Sequence, residues 1–246
     1  SKDLLVRRFQ REGRGWVGLP MTDGEMGLWS DIGERLPVAV LPRAMVPVVT
    51  DKTRFKAFML GLGHGAHVPT RYADKASIQY PCVLKLDAKD GSGGSGVSIE
   101  PDEQSLVERL GSVPFDHVLV EEFVPSATEY SVNVVGMRGA AVSLEECVRM
   151  QTKHDRFVIT GSQAGSPESR TFVKCSELPR WDTVRRVSAD LVRALNFTGL
   201  GFIQLKYDAS GAAKFVEMNG RPDGMLLNNN RPLFAELLRT LYRAGA

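Results

Sequence analysis

The run Gly91-Ser92-Gly93-Gly94-Ser95-Gly96 separates two short β-type segments, Pro81-Cys82-Val83-Leu84-Lys85-Leu86 and Val97-Ser98-Ile99-Glu100, and it constrains the fold more than any other stretch. Its letters satisfy G-x-G-x-x-G, but a dinucleotide fingerprint has to open a helix whose N-terminus meets a pyrophosphate. A β-type run follows here instead, so an antiparallel hairpin replaces the strand–turn–helix of a parallel sheet. A glycine loop of this kind is a mobile flap whose bare N–H groups can wrap phosphate oxygens. The plainer alternative is a flexible hairpin of no function.

The same grammar recurs downstream. Val118 to Phe123, Glu129 to Val135 and Ala141 to Glu145 read as strands, and Phe202 to Tyr207 and Lys214 to Met218 flank the turn signal Asp208-Ala209-Ser210-Gly211. Asp51 to Leu62, Pro101 to Leu110 and Trp181 to Leu195 read as helices; the last places Val184, Val187, Leu191 and Leu195 on one face. The fold class is therefore α+β with antiparallel sheets. Residues 1 to 50 differ, with helix candidates at Lys2 to Glu12 and Asp23 to Leu36 and no catalytic pattern. Ser1 without a preceding Met points to a trimmed or processed start.

With 31 Lys plus Arg against 29 Asp plus Glu, the net charge of +2 argues against broad binding to nucleic acid or membrane. Cys82, Cys147 and Cys175 form no CxxC pair and read as small buried hydrophobes in a reducing, cytoplasmic setting. No apolar run approaches a membrane span. His64 and His67, in a glycine-rich connection, read as solvent-exposed loop residues rather than metal ligands.

Chemistry concentrates in Phe215-Val216-Glu217-Met218-Asn219-Gly220-Arg221, where a carboxylate, an amide and a guanidinium occupy alternate positions and so share one face of an extended strand. If Tyr207 pairs with Lys214, the same register brings Gln204 opposite Glu217, with Asn219 beyond. One carboxylate and two amides make an oxygen-only ligand set suited to Mg²⁺, which also takes ligands from phosphates. Lys85 sits in an apolar strand and must find an anion or snorkel to water. Lys52 opens a helix, where an anionic ligand would offset its opposition to the macrodipole. Glu121-Glu122-Phe123-Val124 ends a strand whose backbone can meet an adenine edge, with the Glu129 carboxylate near enough for ribose hydroxyls, although acidic strand ends are usually just solvated. Residues 222 to 232 either line an acceptor pocket or form a turn and solvated loop.

Taken in order, Asp51-Lys52, Pro81 to Lys85, Gly91 to Gly96, Val120 to Val124, Glu129-Tyr130, Gln204 and Glu217 to Arg221 resemble the ATP-grasp superfamily, nearest its carbamoyl-phosphate synthetase and biotin carboxylase branch. The resemblance implies two α+β subdomains gripping ATP, at residues 49–124 with the flap and 125–246 with the metal site. Residues 1–48 would be a remnant of the family's usual N-terminal α/β domain, otherwise absent. By motif position Lys52, Lys85 and the flap residues Gly91, Ser92, Gly93, Gly94 and Ser95 would hold phosphates. Glu122 and Val124 would meet adenine through main-chain groups, and Glu129 would bind ribose. Gln204, Glu217 and Asn219 would bind Mg²⁺, with Mn²⁺ as an alternative, and Arg221 with Lys85 would serve catalysis at an acyl phosphate. Gln204 stands where many members carry an acid, which removes one negative charge. The implied activity is ligation of a small-molecule carboxylate to an amine, with ADP and phosphate released and a homodimer compatible. An ATP-binding regulatory module and a bicarbonate-activating carboxylase are the alternatives.

Overall fold

Strand-forming segments have to bury one face, and among the described residues they do so in two separate antiparallel sheets. A computed structural model of the chain describes residues 18–33, 40–86, 97–144, 146–151 and 169–245. The glycine loop 91–96 and the polar stretch Lys153 to Arg156 lie outside these, as does Lys2 to Glu12. Among the described residues, three α-helices come ahead of the first strand, α1 (Asp23–Gly33), α2 (Val46–Thr50) and α3 (Lys52–Gly61).

The smaller sheet has the order β2-β1-β3, built from β1 (Cys82–Lys85), β2 (Val97–Glu100) and β3 (Leu119–Glu122). The two arms flanking the glycine loop pair antiparallel, with Lys85 against Val97, as the hairpin reading requires. One face packs Cys82, Leu84 and Val120 against Leu106 and Leu110 of α4 (Glu103–Leu110). That helix starts cleanly because Asp102 accepts from the Ser105 N–H at 2.8 Å.

The larger sheet runs β7-β6-β4-β8-β9, from β4 (Thr128–Met137), β6 (Glu146–Gln151), β7 (Ser169–Lys174), β8 (Gly199–Tyr207) and β9 (Ala213–Asn219); β5 (Ala140–Ser143) pairs with β4. Val132, Ile203, Leu205 and Phe215 bury one face against α5 (Trp181–Ala194), whose Val184, Val187 and Leu191 have no exposed surface. Burial of this completeness contributes about 1.5–3 kcal/mol for each large aliphatic side chain. Met26 of α1 and Val49 of α2 join the same core, so the N-terminal segment is part of this body. A Cβ on Gly220 would lie 2.7 Å from the Met26 sulfur and 3.3 Å from a Val49 methyl, so a larger residue there would have to displace both side chains.

Four expectations change. Tyr207 pairs with Ala213 and not with Lys214, yet Gln204 still faces Glu217, because Val216 is an extra residue in a bulge beside Gln204 and Leu205. β6 and β7 extend the sheet where no strands were expected, since Cys147 and Val148 are both buried and blur the alternation. Residues 222–232 are not a loop: α6 (Gly224–Asn229) and α7 (Arg231–Gly245) cover the far end of the sheet, with Leu226, Leu237 and Leu241 against Val135 and Leu200. His64 is not solvent-exposed. It is 7% exposed, and its Nε2 lies 3.3 Å from an Asp190 carboxylate oxygen.

Candidate functional site

The face of the larger sheet turned away from α5 is apolar under α7 and becomes polar toward the smaller sheet. Antiparallel register aligns the side chains in rows across it: Asn133, Phe202 and Asn219, then Ser131, Gln204 and Glu217. Glu129 and Lys206 come next, with an Nζ to Oε2 distance of 3.9 Å. The Val216 bulge makes this possible. In an unbroken strand Phe215 and Glu217 would share a face, whereas here Phe215 has no exposed surface and Glu217 opens to the polar side.

Gln204 donates its amide N–H to Glu129 Oε1 at 2.9 Å, and Asn219 donates to Glu217 Oε1 at 3.0 Å. With their N–H groups so engaged, the two amides keep their oxygens, and with the Glu217 carboxylate these are the oxygen donors of the face. The Lys52 ammonium already stands 3.0 Å from Glu217 Oε2, so the position suits a positive charge. Among the described residues no cluster of three His, Cys, Asp or Glu forms a metal cage. One carboxylate and two amides are instead donors of the kind a hard cation takes when it keeps waters and borrows phosphate oxygens.

Helix α3 explains how the lysines arrive. Asp51 caps it, accepting from the N–H groups of Thr53 at 2.8 Å and Arg54 at 3.1 Å, which fixes Lys52 as its first residue. Lys52 and Lys56 are four apart and emerge on one side. The first reaches Glu217 on the larger sheet, and the second forms an ion pair with Glu121 on the smaller one. Lys85 pairs with the other oxygen of Glu121, so a single carboxylate serves two buried ammoniums.

Burial sets the electrostatics. It pushes the Lys85 ammonium down to about 8, against attraction from Glu217. Lys56 lies well below the usual range, through burial first and Lys85 second. Burial raises Glu129, opposed by Lys206, and lowers Lys206, opposed by Glu129. At Glu217 burial acts upward, but Lys52, the Asn219 hydrogen bond and Lys85 overcome it and hold the carboxyl below its ordinary value.

The remaining candidates fall around this centre. The Glu122 N–H donates to the Thr70 carbonyl at 2.8 Å, and its carboxylate accepts from the Thr70 N–H at 3.0 Å and lies 3.7 Å from Lys214 Nζ. Val124 is buried, and its carbonyl accepts from Ser126 at 2.9 Å. Arg221 does not continue the strand face, because β9 ends at Asn219. Its guanidinium instead lies over the Phe202 ring, 5.6 Å from the centroid, and its Nε donates to Asp23 of α1 at 2.8 Å. Gly91, Ser92, Gly93, Gly94 and Ser95 lie outside the described residues. Lys56, Glu121 and Asp23 have no counterpart among the sequence candidates. A signal existed for Glu121 alone, since antiparallel pairing of β1 and β3 sets Val83 against Glu121 and so gives it the face of Lys85.

Comparison with known proteins places this geometry in context. Residues 63–223 match the model of the carbamoyl-phosphate synthase L chain, ATP binding domain. A curated relative, the mitochondrial methylcrotonoyl-CoA carboxylase subunit alpha of Rattus norvegicus, is 30% identical over 158 residues, covering 58% of this chain and 20% of its own length. The chain thus spans about a fifth of that relative. Among solved structures, the VanG D-Ala:D-Ser ligase of Enterococcus faecalis superposes with a TM-score of 0.67 at 19% identity, covering 91% of this chain and 70% of that one. The biotin carboxylase domain dimer of the 2-oxoglutarate carboxylase of Hydrogenobacter thermophilus, in complex with MgADP and bicarbonate, gives 0.65 at 18% identity, with 99% and 56% covered. At these identities the likenesses establish the fold, which is the ATP-grasp fold of helices and antiparallel sheets implied by the sequence resemblance. Among the described residues no helix is long and apolar enough to cross a membrane.

Proposed function

Because the chain belongs to the carbamoyl-phosphate synthase L chain, ATP-binding domain family, we propose that it acts as an ATP-dependent carboxylate-amine ligase that releases ADP and phosphate. The observation that carries this reading is a convergence. Lys52, Gln204, Glu217 and Asn219 meet on one polar face, Lys85 lies within electrostatic reach of Glu217, and Arg221 stands at the end of the same strand. In this reading residues 49–124 and 125–246 are the two jaws, with 1–48 beside them, and the setting is cytosolic.

Phosphoryl transfer to a carboxylate brings anions together, so the protein's work is charge neutralisation and alignment. Lys52 and Lys85 would turn from Glu217 and Glu121 toward phosphate oxygens, a triphosphate being a stronger anion than either partner. Gln204, Glu217 and Asn219 would hold Mg²⁺, which supplies neutralisation of the phosphate charge. Adenine would meet the Glu122 carbonyl and the Val124 N–H, the complementary atoms being engaged by Thr70 and Ser126. Glu129 would take the ribose hydroxyls. Arg221, oriented by Asp23, would hold the acid while one of its oxygens takes the γ-phosphoryl group and ADP leaves. An amine would then attack the carbonyl carbon, lose a proton and displace phosphate.

Glu217→Gln removes the site's one metal-facing carboxylate. Acid- and amine-dependent ADP release should fall by about a hundredfold or more, and an unchanged rate would sink the assignment. A second reading, activation of bicarbonate, is favoured by the carboxylase subunit among the relatives. ADP release that depends on bicarbonate and needs no amine would select it.

A further inference from the structure

On strand β4, beside Gln204 and Phe202 on the same sheet face, two polar side chains lack any hydrogen-bond partner among the described residues. Ser131 has no exposed surface and Asn133 has 2%, and neither the Ser131 hydroxyl nor either amide atom of Asn133 is bonded. Buried hydroxyls and amides are almost always satisfied, so two adjacent exceptions on one strand face require a reason. They are not randomly placed. Ser131 pairs with Gln204 and Asn133 with Phe202, and the Arg221 guanidinium lies over that Phe202 ring. Asn219, on the other side of Phe202, completes the row.

The order along the strands assigns a role to this spot. From Glu129 the face runs through Gln204 and Glu217 to Asn133, Phe202 and Arg221, and only then reaches the apolar end closed by α7. A nucleotide with its ribose at Glu129 and its phosphates at Gln204 and Glu217 would point its terminal phosphate at the Asn133 row. We infer that Ser131 and Asn133 form the recognition floor for the acid that is phosphorylated, and that this acid carries a neutral hydrogen-bonding group, a carboxamide or a hydroxyl, a few bonds from its carboxylate. The inference rests on the ligase reading for its direction but on the unbonded side chains for its chemistry.

Complementarity fixes the class. Arg221 takes the carboxylate. An asparagine offers two donors and an acceptor, and a serine offers one donor and an acceptor, so a neutral group that both donates and accepts satisfies them, whereas a second carboxylate, which only accepts, leaves the Asn133 oxygen without a donor. Size narrows it further. Ser131 and Asn133 lie about 7 Å apart along the strand, so a one-carbon ion such as bicarbonate is too short to meet both and Arg221 together. An aliphatic acid of the right length would leave the amide and hydroxyl unpaired, and such mismatches discriminate strongly.

The test is calorimetric acid binding to the protein with Mg²⁺ and a non-hydrolysable ATP analogue, using succinamate against 4-methylpentanoate and 4-hydroxybutyrate against pentanoate. Wild type should bind at least one polar acid about tenfold to a hundredfold tighter than its aliphatic match. Asn133→Leu and Ser131→Ala should erase that preference and leave analogue affinity unchanged. Equal affinity within both pairs overturns the inference, as does failure of all four acids to bind while the analogue binds. A Leu variant that melts higher without altering acid binding also overturns it, since the amide would then be a mere liability. If that variant does not fold, Ser131→Ala decides. ADP release separates the two levels: a protein that binds a polar acid but yields no ADP with any amine refutes ligation and keeps the pocket, whereas equal turnover of matched acids refutes the pocket and keeps ligation.

Discussion

On the larger sheet the Lys52 and Glu217 side chains keep 17% and 21% of their surface exposed, whereas around the smaller sheet Lys56, Lys85 and Glu121 keep only 3–5%. Both regions pair lysine with glutamate, and one helix supplies a lysine to each. The difference is what water can do. At Glu217, solvent can stand in for either partner, so the pair can open to admit an anion and a cation with little loss of stability. At Glu121 two ammoniums share one carboxylate away from water, and removing it leaves uncompensated charge. The first arrangement is suited to exchange, and in the second the Lys56–Glu121 pair is suited to holding the helix and the smaller sheet together while Lys85 can turn to an anion.

The comparison breaks most easily at Glu121. Glu121→Gln should destabilise the fold by about 3 kcal/mol, read as a lower urea midpoint, while Glu217→Gln should move the same midpoint by less than about 1 kcal/mol. Equal losses would erase the distinction. Lys56→Met should come next in size. Glu121 keeps Lys85, and a buried thioether avoids the desolvation that depresses Lys56, so stability should shift by no more than about 1 kcal/mol. A loss as large as that of Glu121→Gln would mean that Lys56 is the essential partner.

The smallest effect is a matter of protons. Burial holds Lys85 near 8 against an ordinary 10.5, so between these values the unfolded chain binds a proton that the folded chain lacks. Folding is therefore opposed by Lys85 below pH 8, and that opposition lifts as pH rises toward 10.5. Phosphate beside Lys85 would restore the ammonium. Nucleotide binding at pH 8 should take up as much as about half a proton, and almost none at pH 6. Calorimetry in buffers of different ionisation enthalpy measures this, and proton release at pH 8 would contradict it.

Legibility in the sequence followed the range of the interactions. Helix α5 was plain from Val184, Val187 and Leu191, and the β1–β2 hairpin from its glycine loop, because periodicity and turn chemistry are local. Gln204 opposite Glu217 was legible for a partly wrong reason, since the assumed pairing of Tyr207 with Lys214 fails and the bulge restores the partnership. Phe215 and Met218, both core residues three apart, carry the trace of that bulge. The C-terminal helix was not read, although Leu233, Phe234, Leu237 and Leu241 are spaced as one helical face. Lys56 on Glu121 and Arg221 on Asp23 were not readable at all. Each joins elements far apart in sequence, and a charged residue beside apolar neighbours looks the same whether it finds a partner or water.

Val216 has a consequence for how the chain tolerates change. The bulge acts as a phase correction: the hairpin beyond it counts in one frame, through Tyr207 and Ala213, and the site counts in the next, through Gln204 and Glu217. Straightening the strand with Val216 retained would rotate either Phe215 out of the core or Glu217 and Asn219 into it, whereas deleting Val216 would make Phe215 and Glu217 consecutive and leave them on opposite faces with their partners Leu205 and Gln204. A bulge at a position that carries no chemistry is thus what keeps core and site in step.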